Sequence, residues 1–588
     1  MRAHPDDDFG HSVEKWLDGF NAAVADANAD RLGALFHLDS HWRDVLALTW
    51  QIVTTTGRDA IGSDLAQALS KCRARNFATD PNRCAPRAVE RAGVQTIEAI
   101  VCFETDVGHG AGIVRLRRDG DPGAAPMAWT LLTALDELKG HEEAEIRSRR
   151  EEPAFARDIH GPNWLDQRQA SAADADRDPT VLIVGGGHAG LTLAARLGQL
   201  DVDALVVDRM KRIGDNWRLR YHGLKLHNQV HSNHLPYMPF PPTWPAYLSK
   251  DRIANWLETY VECMDINFST QTAFEGASFD SQARRWTARL KHADGSTRTL
   301  RPRHIVMATS VSGTPNIPQI PTLERFGGTV LHSSDFANGA AWRDRQVLVL
   351  GTGTSAHDIA QDLHGNGARV TMVQRSPTLV VNVEPSAQLY DGVYLGDGPS
   401  LDDRDLIIAS MPLEVTKAAH KLLTDKVKEI DRPLLEGLEK AGFRLSFGDE
   451  GTGWALLYRT RGGGYYFNVG CSELIVNGEI GLVQYHAIES FTADGARMDD
   501  GRTLKADLIV LATGFKGQDH LVETLFGAEV AKQVGPIWGF DARTQELRNM
   551  WTRTGQPGLW FTAGAFSQCR NYSKYLARQI KASELGLI

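Results

Sequence analysis

Gly185, Gly187 and Gly190 follow the apolar run Val181 to Val184, and Asp208 closes the next apolar run, 18 residues after Gly190. Between a strand and a helix, the first glycine of such a set permits a tight turn and the second lets the backbone approach a pyrophosphate. The third lets helix and strand pack closely. Unpaired N–H groups at the helix start then face the anion, and a carboxylate at the end of the second strand accepts hydrogen bonds from an adenosine ribose. The device is repeated at Gly351, Gly353 and Ala356. Here the following strand ends in Gln374-Arg375-Ser376, so a base stands where the first copy has an acid. Arg375 suits a ribose 2′-phosphate. Ser355, at the helix start, is placed either to touch a pyrophosphate or simply to cap the helix. Two loops with opposite ribose chemistry predict two dinucleotides held at once, with FAD and NADPH as the natural pair.

Each loop needs a buried strand before it and a helix after it. TVLIVGGGHAGLTLAARL and QVLVLGTGTSAHDIAQDL supply both. With 588 residues, 42% of them hydrophobic, the chain is too long for a single core. Ahead of the first loop, helical spacing covers His11 to Leu35 and Arg58 to Ser70, and Thr96–Thr105, Ala111–Asp119 and Met127–Leu138 read as strands. The charged stretch His141–Pro153 and the small, polar stretch Gln169–Pro179 predict a solvated linker. The 64 Lys plus Arg against 73 Asp plus Glu leave no basic footprint for nucleic acid. The six cysteines form no C-x-x-C pair, which argues against a metal site or a dithiol centre. MRAHPDDDFG lacks a signal-peptide pattern and no apolar run would span a bilayer, so a cytoplasmic chain without a transmembrane segment is expected.

From Thr180 to Ile588 the chain resembles the class B flavin-containing monooxygenases, including the plant YUCCA enzymes. Phe326, Gly328, His332 and Phe336 fit that family's F-x-G-x-x-x-H-x-x-x-[YF] sequence, just before the second glycine loop. Arg212–His227, IVMATS, DLIVLATGF and Gly558–Phe566 are similar to further family segments. The resemblance implies FAD on the first loop and NADPH on the second, with Arg209, Trp217, Thr309, Gly514 and Gly564 joining the cofactor contacts. It also implies reduction of the flavin, addition of dioxygen to give a peroxyflavin, and transfer of one oxygen atom to a small organic substrate. His227 falls where heteroatom-oxygenating relatives place an asparagine near the flavin, with Asn228 beside it, and the two are the catalytic candidates. The Baeyer–Villiger fingerprint wants Thr and Trp where this chain has Ser333 and Phe336, so N-, S- or YUCCA-like oxoacid oxygenation is favoured over ester formation from ketones. The remaining alternatives are an NADPH oxidase or reductase without oxygen transfer, and a cofactor-binding regulator without turnover.

The expected fold class is α/β, with two Rossmann-like dinucleotide-binding domains after a small α+β unit. In residue ranges this gives an accessory domain at 1–145, a linker at 146–178, an FAD domain at 179–326 and 491–588, and an NADPH domain with a substrate-side insertion at 327–490. The helices-then-strands order of the first unit resembles the SnoaL-like cone fold, which implies an accessory lid or a homodimer contact. His41 and Trp42-Arg43-Asp44 could mark a pocket but read mainly as packing and surface, and deletion up to about Asp178 is expected to leave a soluble, yellow protein.

Overall fold

The apolar runs behind the two glycine loops carry no polar alternation, the pattern of strands buried on both faces. In the computed structural model, which describes residues 9–118, 125–143, 160–173 and 177–588, each becomes the third strand of an all-parallel five-stranded sheet. The first sheet runs Asn267–Ser269, Ala204–Val207, Val181–Val184, His304–Met307, Leu559–Phe561. The second runs Thr329–His332, Leu508–Leu511, Gln346–Leu350, Arg369–Gln374, Gly481–Gln484. In both, the chain leaves the central strand through the glycine turn into a helix, His188–Gln199 or Thr354–Gly365.

One expected boundary moves. Leu508–Leu511, the strand of DLIVLATGF, was expected with the first sheet, inside 491–588. It pairs instead with Thr329–His332 and Gln346–Leu350, so the second sheet extends to at least Leu511. The antiparallel strands Ile488–Thr492, Gly495–Met498 and Thr503–Lys505 fill the interval and carry the chain to that inner position. Only Leu559–Phe561 then returns to the first sheet, after Leu511.

The N-terminal unit has a seven-stranded sheet in place of the three strands expected. Phe36–Val45 pairs with Ile52–Thr56 on one side and Met127–Leu138 on the other, and Gly108–Arg117, Val94–Glu104 and Arg75–Thr79 follow. Arg87–Arg91 also pairs with Val94–Glu104. Helices Phe9–Asp26 and Arg58–Cys72 bury Val13, Trp16, Phe20 and Leu65 in the core of this unit.

Met127–Leu138 is buried along nearly its whole length rather than at alternate residues, as in a sheet covered on both faces. The same hydrophobic cluster contains Leu406, Ile407, Tyr575 and Ala582 from elsewhere in the chain. Polar ties cross the boundary too: Arg115 binds Glu98 and donates to Ser410 Oγ at 2.7 Å, and Arg83 pairs with Asp403 at 3.1 Å. Lys574 pairs with Asp136. The expectation of a removable accessory domain therefore fails on physical grounds, because deletion would expose Leu406, Ile407 and Tyr575 to water at about 1.5–3 kcal/mol for each large side chain. A chain starting at Asp178 should be aggregated or markedly less thermostable than the full chain; a monodisperse, flavin-retaining fragment with an unchanged melting temperature would contradict this reading.

The expected linker is not featureless. Trp164–Ala173 is a helix, and Arg168 on it donates to Asn267 Oδ1 at 2.6 Å. Residues 144–159, including most of the charged stretch, lie outside the described residues. No helix among the described residues is long and apolar enough to cross a membrane.

Candidate active site

The glycine positions are forced by backbone geometry. Gly185 has φ +112°, and a Cβ there would sit 2.5 Å from Ala308 O; Gly351 has φ +128°, with Ala512 O at 2.4 Å. Side chains rarely adopt such angles. Gly190 has a different constraint, since a Cβ would lie 2.1 Å from Gly185 O. Neither following helix is capped by a side chain at its N-cap, Gly187 or Gly353. The first-turn amides are thus left to whatever occupies the cavity in front of them, which fits a pyrophosphate.

Asp208 stands at the end of Ala204–Val207, where its carboxylate accepts from Gly186 N at 2.7 Å and Met210 N at 2.9 Å. That fixes one edge beside the glycine turn, while the residue still faces the cavity. Arg375 follows Arg369–Gln374 and is exposed at the cavity rim, with Arg444 donating to its carbonyl. Asp208 and Arg375 thus each follow the strand after their glycine loop and line the cavity.

One cavity of about 1490 Å³ joins the two loops. Of the residues singled out from sequence, Gly185, Gly187, Asp208, Arg209, Trp217, His227, Asn228, Thr309, Gly351, Gly353, Ser355, Arg375, Gly514 and Gly564 all line it. Gly190 does not, and acts from behind by letting the helix approach the strand. The volume exceeds the roughly 300–1,000 Å³ of a single small-ligand site, which suits two large cofactors and a substrate.

His332 of the family sequence receives Ser334 N at Nδ1 (3.1 Å), so its proton sits on Nε2 and is donated to Gly514 O at 3.1 Å. It thereby locks the turn after Leu508–Leu511 to the edge strand Thr329–His332. Phe336 is buried in the core of the second sheet. Trp217 lies near His188 and Phe566, whose rings stack at 4.1 Å, and His188 Nε2 contacts Gly564 O at 2.9 Å.

His227 stacks on Phe467 with ring centroids 4.1 Å apart, and burial pulls its pKa down to about 4. Its imidazole is therefore neutral at physiological pH and offers one donor and one acceptor to the cavity. Asn228 is already engaged, donating Nδ2–H to Asp391 Oδ2 at 2.6 Å. Burial raises the Asp391 pKa, against the opposing pull of Asn228 and Arg459. Asn233 turns inward, donating to the carbonyls of Asn228 and Gln229. Asp358 holds Tyr221 at 2.5 Å, joining the second-sheet helix to the segment before His227.

No motif points to the rest of the cavity lining. Tyr390, Asp391 and Tyr394 come from Ala387–Tyr394, and Trp454, Tyr458 and Arg459 from Gly453–Arg461. Glu546 and Tyr572 join them with Arg43 of the N-terminal sheet, whose segment the sequence favours as packing over a pocket. The segment from Ser386 to Tyr458 carries no motif that would have named Tyr390, Asp391, Tyr394, Trp454 or Tyr458.

Two parallel sheets whose glycine turns open on one chamber define the pyridine-nucleotide flavoprotein class. The profile of the pyridine nucleotide-disulphide oxidoreductase family matches residues 179–390. The chain is 28% identical over 361 residues to indole-3-pyruvate monooxygenase YUCCA1 of Oryza sativa subsp. japonica, covering 60% of this chain and 80% of that protein. It is 30% identical to probable indole-3-pyruvate monooxygenase YUCCA4 of Arabidopsis thaliana, covering 59% and 79%. Its fold is similar to that of a steroid monooxygenase solved with NADP (TM-score 0.51, 18% identity, 70% of this chain and 86% of that one) and to cyclohexanone monooxygenase (TM-score 0.51, 17% identity, 69% and 88%). The chain belongs to the flavin-dependent monooxygenase family, with the YUCCA-like, class B enzymes. All six cysteines are unpaired.

Proposed function

We propose that the protein is an FAD-dependent, NADPH-consuming monooxygenase that transfers one oxygen atom from O2 to a small organic substrate, with the oxoacid type of reaction named for its plant relatives and N- or S-oxygenation as the favoured chemistries. The convergence of both glycine loops on one chamber carries this reading, because hydride transfer requires the two reactive rings to meet. The first sheet and its loop act as a Rossmann-like FAD site and the second as a Rossmann-like NADPH site. Residues 179–326 and the final strand-helix segment form the former, 327–511 the latter, with the SnoaL-like cone of 1–145 ahead of both. FAD, once reduced by NADPH, supplies the activation of dioxygen. The chain's own tasks are to bind, orient and keep water out: Asp208 reads the FAD ribose, Ser355 and the amides beyond Gly353 hold the NADPH pyrophosphate, and neutral His227 supplies a hydrogen bond on the substrate side.

The test is the fate of oxygen. Recovery of close to one oxygenated product per NADPH with an oxoacid, amine or sulfide supports the reading, recovery only with ketones moves it to the Baeyer–Villiger reaction, and peroxide alone sinks it. The NADPH assignment has its own check. Arg375→Ala should raise KM for NADPH by about tenfold or more, the loss of a charge-assisted phosphate contact, and leave that for NADH nearly unchanged; equal effects would misplace the 2′-phosphate.

A further inference from the structure

Beyond the motif residues, the chamber lining includes two guanidinium groups in unlike states. Arg43, 6% exposed, grips Glu546 with Nε on Oε1 at 2.7 Å and Nη2 on Oε2 at 2.6 Å, and also donates to Tyr572 Oη at 3.1 Å. Thr54 adds a further donor to Glu546 at 2.9 Å. Both donors to that carboxylate belong to the N-terminal sheet. Arg459 lines the same chamber, half-buried, and makes no hydrogen bond or ion pair among the described residues. It lies within electrostatic reach of Arg43, Asp391, Tyr394 and Tyr572, and burial pulls its pKa down. Asp391, an acid within its electrostatic reach, accepts from Asn228 at 2.6 Å.

A half-buried guanidinium with five donors, lining a chamber and without a protein acceptor, is a ready partner for a ligand carboxylate. Tyr390, Trp454 and Tyr458, which line the same chamber, favour an aromatic or apolar body. Taking the monooxygenase reading as given, we propose that Arg459 recognises the carboxylate of an aromatic acid and that the N-terminal unit keeps it free to do so. Arg43 and Thr54 saturate Glu546, so that this carboxylate does not neutralise Arg459 from within. Arg43 is in this sense a positioning residue: it acts on the ligand through Glu546 and Arg459. It also makes the N-terminal sheet a wall of the chamber.

Binding, not turnover, tests the idea, so that failure of oxygen transfer and failure of this inference separate. Calorimetric titration of the oxidised, flavin-loaded full chain with phenylacetate and with phenylacetamide should show the acid bound at least tenfold more tightly. Arg459→Gln should abolish that preference while leaving amide affinity and flavin content unchanged, and Arg459→Lys should restore part of it. Arg43→Gln frees Glu546 to pair with Arg459 and should lower the preference as well; adding Glu546→Gln should bring it back, a recovery that a purely structural role for Arg43 would not give. No preference in the wild type, or a preference that survives Arg459→Gln, overturns the proposal. A preference lost in Arg43→Gln and not regained in the double variant overturns the role given to the N-terminal unit; should the single variant fail to fold, the double variant against Glu546→Gln alone decides the same point.

Discussion

A Gly190→Val variant is expected to accumulate as a colourless, less stable protein. The Cβ alone would lie 2.1 Å from Gly185 O, 3.2 Å from Ile183 Cγ2 and 3.3 Å from Ala308 Cβ, and the first of these is backbone in the glycine turn itself. Two added methyl groups leave the helix His188–Gln199 no option but to move off the strand Val181–Val184. Overpacking of this kind costs about 1–3 kcal/mol, and the displaced turn loses the amides proposed to hold the flavin pyrophosphate. The second loop shows that the limit is local geometry and not the motif, because Ala356 occupies the equivalent place there and is fully buried. Gly353→Ala is the matched control. A Cβ at Gly353 meets nothing nearer than Tyr465 O at 3.8 Å, and its φ is −82°. That variant should keep the wild-type melting temperature and show its defect only in KM for NADPH. Flavin content by absorbance and thermal unfolding separate the two; a yellow Gly190→Val protein of native stability would refute the packing argument.

What the sequence made legible follows from how local the constraint is. A glycine turn, the apolar strand before it and the charge at the end of the next strand lie within about 30 residues, so Gly185, Asp208, Gly351 and Arg375 reached the same cavity that their spacing implied. Leu508–Leu511 was read correctly as a strand and assigned to the wrong sheet, because strand order is decided by packing hundreds of residues away. Phe36–Val45 was missed for another reason: FHLDSHWRDV places His41, Arg43 and Asp44 at buried positions, which erases the alternation. Those groups are tolerated inside through their partners, near and far along the chain: Asp44 accepts from Thr49 N at 2.9 Å and from Thr133 Oγ1 at 2.7 Å, and Arg43 grips Glu546. The rest of the chamber lining was silent for the same cause. Arg459 and Tyr572 carry no spacing that refers to each other, and only the completed fold brings them to one surface.

The largest loss of stability should come from Asp405→Ala. Asp405, in the helix Leu401–Ala409, takes Arg570 Nε at 2.7 Å and Nη2 at 2.6 Å, and Tyr394 Oη donates to it at 2.8 Å. Arg570, 3% exposed in the C-terminal helix, spends its remaining nitrogen on the carbonyls of Ser232 and His234, at 2.9 and 2.8 Å. A single guanidinium thus ties the C-terminal helix, the helix Leu401–Ala409 and the loop after Asn228. Removing the carboxylate leaves a buried cation facing carbonyls alone and a tyrosine hydroxyl without its acceptor, for which about 3–5 kcal/mol is the expected cost. Chemical denaturation should report it as a lower midpoint with an unchanged slope. Asp405→Asn, which keeps one acceptor, should fall between, and Asp405→Leu combined with Arg570→Met should recover much of the loss, since an apolar pair strands no charge. If the double variant were as unstable as Asp405→Ala, the penalty would lie in packing around the helix and not in the unpaired guanidinium. Because Ser232 and His234 follow His227 and Asn228 on one loop, a kcat that falls in Asp405→Asn with KM for NADPH held constant would show that the same tie also orients the substrate side of the chamber.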